Sequence, residues 1–325
     1  MSTNRPTWVA VAALVGATLF WAGNYVIGQR AVEAIDPLSL VLLRWALAFV
    51  PLLVIAQLVE RPRWREVARA WPWLLALSAF GIVGYNLPLY AALEHTDAFS
   101  ASLVNAFNPA LITLAAAVFL CERLTPLSVG GVLIALAGVL VVLSDGDLGS
   151  LFHGGFGTGE LLMLVAITAW TAYTVLGRRA PRLPPVTSTA VQSGVAVVVL
   201  APFSLASGGP AWPGTGAALG SLVFIVVFPS VLSYLLWNHA LTVVPPGRAG
   251  VFLNLITVFT AVFTILAGEP WTAAQVAGGA VVIGGVVLTN WKAFRGTGAD
   301  SGPAAGRYSG SPGIAEGSKA RSSHE

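Results

Sequence analysis

One arginine stands inside a long apolar stretch, in the run LSLVLLRWALAFV that contains Arg44. A charged residue near the middle of a membrane helix costs about 2.5–3.5 kcal/mol on insertion scales, so such a residue is a functional candidate. Its planar guanidinium could face a cavity and pair with a substrate carboxylate or phosphate. Alternatively, it could snorkel to the nearby end of its helix and keep its charge in the headgroup region. The sequence leaves both roles open.

Amide and aromatic side chains recur in the other apolar stretches, where they could bind a small polar molecule. With Arg44, the candidate substrate-binding residues are Trp21, Asn24, Asn86, Tyr90, Asn105, Asn108, Trp170, Tyr173, Tyr234, Asn238 and Asn254. The asparagines and the tyrosine of the first half lie in the middle or outer part of their predicted helices, whereas those of the second half lie toward the inner part. This division predicts an outer and an inner vestibule. The alternative for each asparagine is an interhelical hydrogen bond that holds the bundle together, and for the two tryptophans it is plain packing.

The composition indicates that most of the chain is surrounded by lipid. The chain has 325 residues, of which 56% are hydrophobic and only 10% are charged, whereas charged residues make up about 25% of a soluble domain. A membrane-spanning helix needs about 20 mostly apolar residues. Segments that approach this length lie near residues 8–29, 38–59, 72–93, 98–120, 127–144, 158–177, 187–206, 217–238, 246–267 and 273–292. Since MSTNRPTW leads into the first segment without a small-residue cleavage site, we expect an uncleaved first helix.

The chain contains one pattern twice. Residues 103–138 and 250–285 align at a constant offset, which pairs Gly138 with Gly285, and the upstream runs WAGNYVIGQRA and WTAYTVLGRRA align at nearly the same offset. Because each copy holds an odd number of helices, the second must enter the membrane from the opposite side. The sequence therefore predicts an all-α membrane protein with ten transmembrane helices in two inverted five-helix repeats. Secondary transporters with such repeats bind substrate between them near mid-membrane and work by alternating access.

The distribution of charge predicts the orientation of the chain. The predicted repeats cover residues 8–144 and 158–292, and the Gly- and Ser-rich segment 295–325 is predicted to be a disordered cytoplasmic tail. All Lys and Arg residues except Arg30 and Arg44 fall on one side of the predicted helices. Cytoplasmic loops carry such an excess of positive charge, so both termini are expected in the cytoplasm. The net charge of +3 is thus a topology signal and requires no acidic partner.

The sequence argues against several other classes of function. It contains no HExxH motif, no His cluster and no mid-helix carboxylate pair, so we expect neither an enzyme nor a metal site. The single Cys121 excludes an intramolecular disulfide, and the absence of a basic stripe argues against nucleic acid as a partner. No cofactor is implied, and the expected partners are a small-molecule substrate and the lipid bilayer. Without a mid-helix carboxylate, facilitated transport, exchange and proton antiport all stay open.

Glycines are concentrated in the fifth and tenth predicted helices, where they would let two helices approach closely. The glycines in question are Gly130, Gly131 and Gly138, echoed by Gly278, Gly279, Gly284 and Gly285. They would serve equally well for a homodimer contact or for packing inside one bundle.

In their order, these features resemble the EamA-type branch of the drug/metabolite transporter superfamily. The resemblance runs from Trp8 to Lys292 and rests on the paired halves, FWAGNYV and AWTAYTV, LRWALA, NPALITLAAAVFLCERLT, and the glycine-rich fifth and tenth helices. It implies ten helices, an inner-membrane location, and alternating-access movement of small metabolites, commonly the export of amino acids or related compounds. The second half departs from the first where Gln192 stands opposite Arg44. A lipid-handling flippase or a non-transporting membrane component is the alternative function.

Overall fold

The computed structural model describes residues 7–121, 125–144, 146–147, 157–244 and 252–289. The predicted tail at 295–325 and most of the predicted junction between the halves lie outside these residues. Within the described ranges the regular elements are all helices. They are α1 (Thr7–Val32), α2 (Pro37–Glu60), α3 (Trp64–Arg69), α4 (Trp71–Leu93), α5 (Ala98–Phe119), α6 (Pro126–Leu143), α7 (Thr158–Gly177), α8 (Pro185–Ala206), α9 (Gly216–Leu241), α10 (Leu255–Leu266) and α11 (Ala273–Thr289).

Most of these helices have the length and composition of membrane helices. Seven in the described part of the chain are long and apolar enough to cross a membrane, namely α1, α2, α4, α5, α7, α8 and α9. Three shorter apolar helices lie at Pro126–Val142, Leu255–Leu266 and Ala273–Leu288. The protein is therefore a multi-pass, helical membrane protein, as its composition predicted. The predicted segment 246–267 begins before the residues that the structure describes on that side.

The short helix α3 was absent from the sequence prediction. Its six residues, WREVAR, are too few and too charged to register as an apolar segment. Val67 is nevertheless buried and packs in one cluster with Leu74 of α4 and Val191 of α8. Helix α3 is thus amphipathic, and its apolar face connects the first half of the chain to the second.

The bundle exposes apolar side chains and buries many polar ones. Val198 is 73% exposed and Leu205 is 70% exposed, which is the surface that lipid requires. Inside the bundle, Ser233 is fully buried and its Oγ donates to the carbonyl of Ala17 at 3.1 Å. Polar groups in a membrane protein must find such partners internally because lipid offers none.

Two long helices contain a π-helical turn at equivalent positions of the sequence repeat. In α4 the turn covers Ser78–Val83, and in α9 it covers Val226–Leu232. A π turn inserts one extra residue into an α-helix, and such turns are frequent at functional sites. In α9 the turn contains Pro229, which lacks a backbone N–H. The Pro229 carbonyl accepts a hydrogen bond from the indole Nε1 of Trp21 at 3.1 Å, so this turn anchors a predicted site residue.

Helices from the two parts of the chain pack on each other in matching pairs. Helix α2 packs on α8, and α6 packs on α11. Helix α1 contacts α9 and α10, while its counterpart α7 contacts α4 and α5.

Side chain to backbone hydrogen bonds hold both ends of the α2–α8 pair. At one end, the backbone N–H of Ala211 donates to Ser39 Oγ at 2.8 Å. At the other, the Glu60 carboxylate accepts from the backbone N–H groups of Val186 and Thr187 at 2.9 and 2.7 Å, and from Thr187 Oγ1 at 2.6 Å. A carboxylate at a helix N-terminus satisfies free N–H groups and complements the helix dipole. Glu60 therefore caps α8 from the end of α2.

Helices α6 and α11 approach closely through glycines. A Cβ added to Gly138 would lie 2.7 Å from the Gly278 carbonyl oxygen, and one added to Gly278 would lie 2.9 Å from the Gly138 carbonyl oxygen. Packing inside one chain therefore occupies both glycines. By contrast, Gly130 and Gly284 have nothing within 4 Å of an added Cβ. The homodimer stays a prediction.

Candidate functional site

A cavity lies between helices of both halves, with about 740 Å³ of empty space that includes its open mouth. It combines one cation with several amides and aromatic rings, a mixture typical of small-molecule sites. The lining residues are Trp21, Asn24, Tyr25, Arg44, Tyr85, Asn86, Asn105, Ala106, Asn108, Pro109, Ile112, Trp170, Tyr234, Leu253, Asn254 and Ile256. All the predicted site residues except Tyr90, Tyr173 and Asn238 are among them.

Arg44 is the cation of this cavity and is only 3% exposed. Its Nη1 donates to Asn86 Oδ1 at 2.8 Å and to the Tyr90 hydroxyl at 2.7 Å, with a longer contact of 3.4 Å to Asn24 Oδ1. Its Nε donates to Ser230 Oγ at 2.6 Å. These contacts hold the guanidinium inside the bundle, where it lines the cavity. Its pairing with a substrate anion stays a prediction.

The groups around Arg44 are arranged as acceptors. Asn86 donates through Nδ2 to the Ile82 carbonyl at 2.8 Å, which leaves its Oδ1 directed at the guanidinium. The Tyr90 hydroxyl donates to Asn24 Oδ1 at 2.7 Å, and the Ser230 hydroxyl donates to the Ile225 carbonyl at 2.6 Å. Each hydroxyl proton is thus used elsewhere, and each hydroxyl oxygen accepts from Arg44. Asn86, Tyr90 and Ser230 therefore hold the guanidinium in place, and their own hydrogen bonds fix the orientation of these three acceptors.

The charge of Arg44 lacks a carboxylate partner among the described residues. The one ion pair formed within that part of the chain joins Arg63 to Glu66, both at the surface. The neutral contacts of Arg44 use Nε and Nη1, and within the described residues Nη2 has no hydrogen-bond partner. The guanidinium carbon lies 5.0 Å from the centre of the Trp45 ring, a cation–π contact that offsets part of the lost hydration. The site is therefore positive and retains a donor for an anion.

Aromatic rings from both halves form walls of the cavity. The Trp21 ring meets Tyr234 edge to face, with centroids 5.8 Å apart. On the other side, Trp170 packs on Tyr85 with centroids 5.1 Å apart and on Tyr173 at 5.0 Å. The two tryptophans occupy equivalent positions in the repeat, and each packs on a tyrosine from the opposite half. Each tryptophan therefore packs on a tyrosine and also lines the cavity, and a role in substrate binding stays a prediction.

Two tyrosines of the cavity were missed by the sequence analysis. Tyr25 and Tyr85 share a hydrogen bond of 3.0 Å between their hydroxyls, and Tyr85 donates to Asn105 Oδ1 at 3.1 Å. Both directly adjoin residues that were selected, in the dipeptides Asn24-Tyr25 and Tyr85-Asn86. Adjacent helical residues differ by about 100° in direction, and a wide cavity accommodates both. The position of each tyrosine beside a predicted site residue was the sequence signal that could have identified it.

A break in α5 brings two of the predicted asparagines to the cavity. The helix is interrupted at Phe107, directly before Asn108 and Pro109, where Pro109 lacks the backbone N–H that a continuous helix would use. Asn105 lies before the break and Asn108 after it, and both line the cavity. Asn108 Oδ1 also accepts from Thr171 Oγ1 of α7 at 3.2 Å, so this side chain has a binding position and an interhelical bond at once.

Three predicted residues do not line the cavity. Tyr90 is fully buried behind Arg44, which it positions. Tyr173 packs against Trp170 and over Gly81, where an added Cβ would collide with its ring. Asn238 has a buried Nδ2 for which the described structure provides no partner. These side chains support the site or lie elsewhere in the bundle.

The predicted division into two vestibules fails for Tyr234 and Asn254. Both were assigned to an inner vestibule, yet they line the same cavity as Asn24 and Asn105. The two-vestibule prediction considered only how deep each residue lies along its own helix. Helices that cross near their middles bring residues of both groups to one space, and the sequence does not contain those crossings.

The family of the chain follows from comparison with known proteins. Residues 8–144 and 157–291 each match the EamA-like transporter family. These matches cover most of the chain, so the protein belongs to the EamA-like transporter family. It is accordingly a membrane transporter, the class of protein that its buried arginine and central cavity also indicate.

Similar proteins include transporters with and without a known cargo. The uncharacterized transporter YyaM of Bacillus subtilis (strain 168) is 27% identical over 85% of this chain and 92% of its own length. A probable terminal-alkyne amino-acid exporter of Streptantibioticus cattleyicolor is 28% identical over 86% of this chain and 93% of its own. The aromatic amino acid exporter YddG of Ancylobacter novellus is 27% identical over 67% of this chain and 76% of its own.

Proposed function

We propose that this protein exports an amino acid, or a related small organic anion, across the inner membrane by alternating access between two inverted five-helix halves. The observation that carries the proposal is the buried Arg44, which lines the central cavity without a described carboxylate partner. A buried charge without a counter-charge is strongly unfavourable. A substrate carboxylate in the cavity supplies that counter-charge each time the substrate binds.

The geometry of Arg44 suits a carboxylate. Nε and Nη1 are held by Ser230, Asn86 and Tyr90, so the guanidinium is oriented before the substrate arrives. Nη2 is left to donate to a carboxylate oxygen, and hydrogen bonds to charged groups contribute about 1.5–3 kcal/mol each. Pre-orientation matters because it removes part of the entropic cost of binding.

The rest of the cavity suits the other parts of an amino acid. Asn254 lines the cavity, and its Oδ1 is buried without a hydrogen-bond partner in the described structure, so it would accept from an ammonium group once its side chain turns toward the cavity. The faces of Trp21 and Trp170 attract cations and pack well on apolar or aromatic side chains. A zwitterion thus finds a donor for its carboxylate, an acceptor for its ammonium, and rings for its side chain.

The relatives support the same class of cargo. The Streptantibioticus protein is named as a probable terminal-alkyne amino-acid exporter and the Ancylobacter protein as an aromatic amino acid exporter. By contrast, the flippase alternative predicted polar residues that open laterally to lipid. In this protein most of the predicted polar residues line one cavity between helices, which favours transport of a small soluble molecule.

Several pairings support the inverted halves, with ten crossings divided into residues 8–144 and 158–292. The π turns Ser78–Val83 and Val226–Leu232 occupy equivalent positions. Gly138 and Gly278, which come from different halves, each lie against the other's backbone. In this arrangement the segment 295–325 and both termini are cytoplasmic, on the side that carries most of the basic residues. Rocking of one half against the other would expose the cavity to each side in turn.

A ligand screen tests this proposal directly. The purified full-length protein is melted with L-tryptophan, L-phenylalanine or L-leucine, with amines that lack the carboxylate, and with carboxylates that lack the amine. A ligand that binds the folded state raises the melting temperature. We expect the amino acids to raise it most and the amines least, and we expect Arg44→Gln to abolish the shift while the exposed control Arg30→Gln keeps it. Equal shifts with amines and amino acids would contradict the proposal. Export from loaded vesicles then tests the direction of transport.

A further inference from the structure

An apolar groove lies on the surface of the bundle and shares no residue with the lining of the central cavity. It runs between α3, α4 and α8, so both halves of the chain contribute to it. Its lining residues are Trp64, Val67, Ala68, Trp71, Leu74, Leu75, Val191 and Val195. Trp71 is 64% exposed and Trp64 is 42% exposed, which is the position that indole rings take at the membrane–water interface. The two exposed indoles together favour a position of the groove at the level where headgroups meet acyl chains.

Three arginines stand within three positions of groove-lining residues along the chain. Arg61, Arg65 and Arg69 are exposed and have neither an ion pair nor a hydrogen bond from their side chains within the described part of the chain. The nearby carboxylates are already used, since Glu66 pairs with Arg63 at 3.0 Å and Glu60 caps α8. The positive charge beside the groove is therefore not neutralised by these neighbours.

The local structure orients the arginines and the apolar residues differently. Trp64, Val67 and Ala68 line the groove, and this spacing of three to four residues defines one face of α3. Arg65 and Arg69 are four positions apart and share another face. Arg61 has a left-handed backbone with φ of 47°, at the point where the π-helical end of α2 terminates. Such a conformation favours glycine, yet an arginine stands here and adds its charge to the cluster.

We propose that this groove binds an anionic phospholipid, with the phosphate of its headgroup against Arg61, Arg65 and Arg69 and one acyl chain along the apolar lining. Charge complementarity identifies the occupant. A zwitterionic lipid carries no net negative charge to neutralise the three arginines, and a soluble anion has no acyl chain to fill the apolar groove. Clusters of basic residues beside an amphipathic helix attract anionic lipids in this way. Because Val191 and Val195 belong to α8, the lipid bridges the two halves.

Thermal melting of the detergent-purified, full-length protein tests the proposal. The protein is supplemented with phosphatidylglycerol, with phosphatidylcholine of the same acyl chains, or with inorganic phosphate. We expect phosphatidylglycerol to raise the melting temperature well above the value in phosphatidylcholine, and we expect phosphate to have no effect. Native mass spectrometry of the same samples counts the bound lipids.

Two variants separate the charge from the groove. Arg61→Gln/Arg65→Gln/Arg69→Gln removes the charges, and affinity for phosphatidylglycerol should fall roughly fivefold per arginine. Ala68→Phe fills the groove and retains every charge, and it should also lose the lipid. The matched controls Arg30→Gln and Ala217→Phe change exposed residues outside the groove and should bind like the unaltered protein. The melting temperature in phosphatidylcholine alone reports whether each variant is folded.

Three results would overturn the lipid site. They are equal stabilisation by both lipids, full phosphatidylglycerol preference in the triple variant, or a phosphate effect as large as that of the lipid. None of these readouts involves amino-acid transport, so failure here leaves the proposed cargo unaffected.

Discussion

Arg44 and Ser230 lie 186 positions apart in the sequence, yet Nε of the arginine donates to the serine hydroxyl over 2.6 Å. The arginine comes from the first half and the serine from the π-helical turn of the second. The cation of the site is therefore held in place by both halves. In the proposed function, a substrate bound to the guanidinium would therefore contact both halves through this arginine.

Arg44→Gln should remove transport and spare the fold. The substitution deletes the charge that binds the carboxylate, and loss of a charge-assisted hydrogen bond of about 1.5–3 kcal/mol weakens binding roughly 10- to 150-fold. The melting temperature without substrate should stay level or rise, because a buried cation without a counter-ion is removed. Calorimetric titration with the best ligand from the screen measures the first effect, and Arg30→Gln is the control. Undiminished binding by Arg44→Gln would refute the anion-site role.

Asn105→Ala should weaken substrate binding with a smaller effect on stability. Asn105 lines the cavity and accepts from Tyr85, so the substitution removes a polar cavity group and releases the Tyr85 hydroxyl. Asn238→Ala is the matched control, because the buried Nδ2 of Asn238 has no partner in the described structure and the residue does not line the cavity. We expect Asn238→Ala to bind normally and to melt no lower. If Asn105→Ala loses stability and binds normally, its side chain serves only the bundle.

Gly138→Ala should destabilise the protein. Its new Cβ would meet the backbone of α11, including the Gly278 carbonyl, and backbone cannot move aside as a side chain can. Overpacking of this kind costs about 1–3 kcal/mol. Gly130→Ala lies in the same helix but in open space, where alanine improves helix propensity. A lower melting temperature is therefore expected only for Gly138→Ala, and equal melting of the two variants would contradict the close contact.

Glu60→Gln should weaken the contact between α2 and α8. The carboxylate accepts from Val186 and from both donors of Thr187, and loss of such a cap costs about 0.5–2 kcal/mol. Glu66→Gln is the control, since Glu66 is exposed and its pair with Arg63 is worth little. Chemical denaturation in mild detergent compares the two. Equal stabilities would show that the cap contributes nothing measurable.

Much of the helical architecture could be predicted because it depends on the length of the apolar segments, which can be read directly from the sequence. The residues of the site were also largely predictable, since an arginine or asparagine is conspicuous in an apolar stretch. Ser230 could not be selected in this way. A serine is unremarkable in a membrane helix, and its role depends on the π turn that directs its hydroxyl at Arg44. The spacing of hydrophobic residues along a helix does not reveal that a π turn has inserted one extra residue.

The arrangement of the cavity was less predictable for the same reason. Tyr234 and Asn254 line the same cavity as Asn24 because of the way their helices pack, and that packing depends on contacts between residues far apart in the sequence. Helix α3 was missed because its six residues combine three charged side chains with a buried Val67. Hydropathy averaged over a longer stretch conceals such an element.

The two π turns also determine the direction in which the later side chains of their helices point. An α-helix advances about 100° per residue, so one inserted residue rotates the remainder of α4, with Asn86 and Tyr90, by that angle relative to an uninterrupted helix. The same rotation applies in α9 to Tyr234, which follows Val226–Leu232. If an inserted residue moved along its helix by one turn, the residues it passed would swing toward or away from the cavity while the helix stayed hydrogen-bonded. Each half would then turn its cavity-lining side chains at a π turn, and the π turn of the first half precedes Asn86, whose Oδ1 accepts from Arg44.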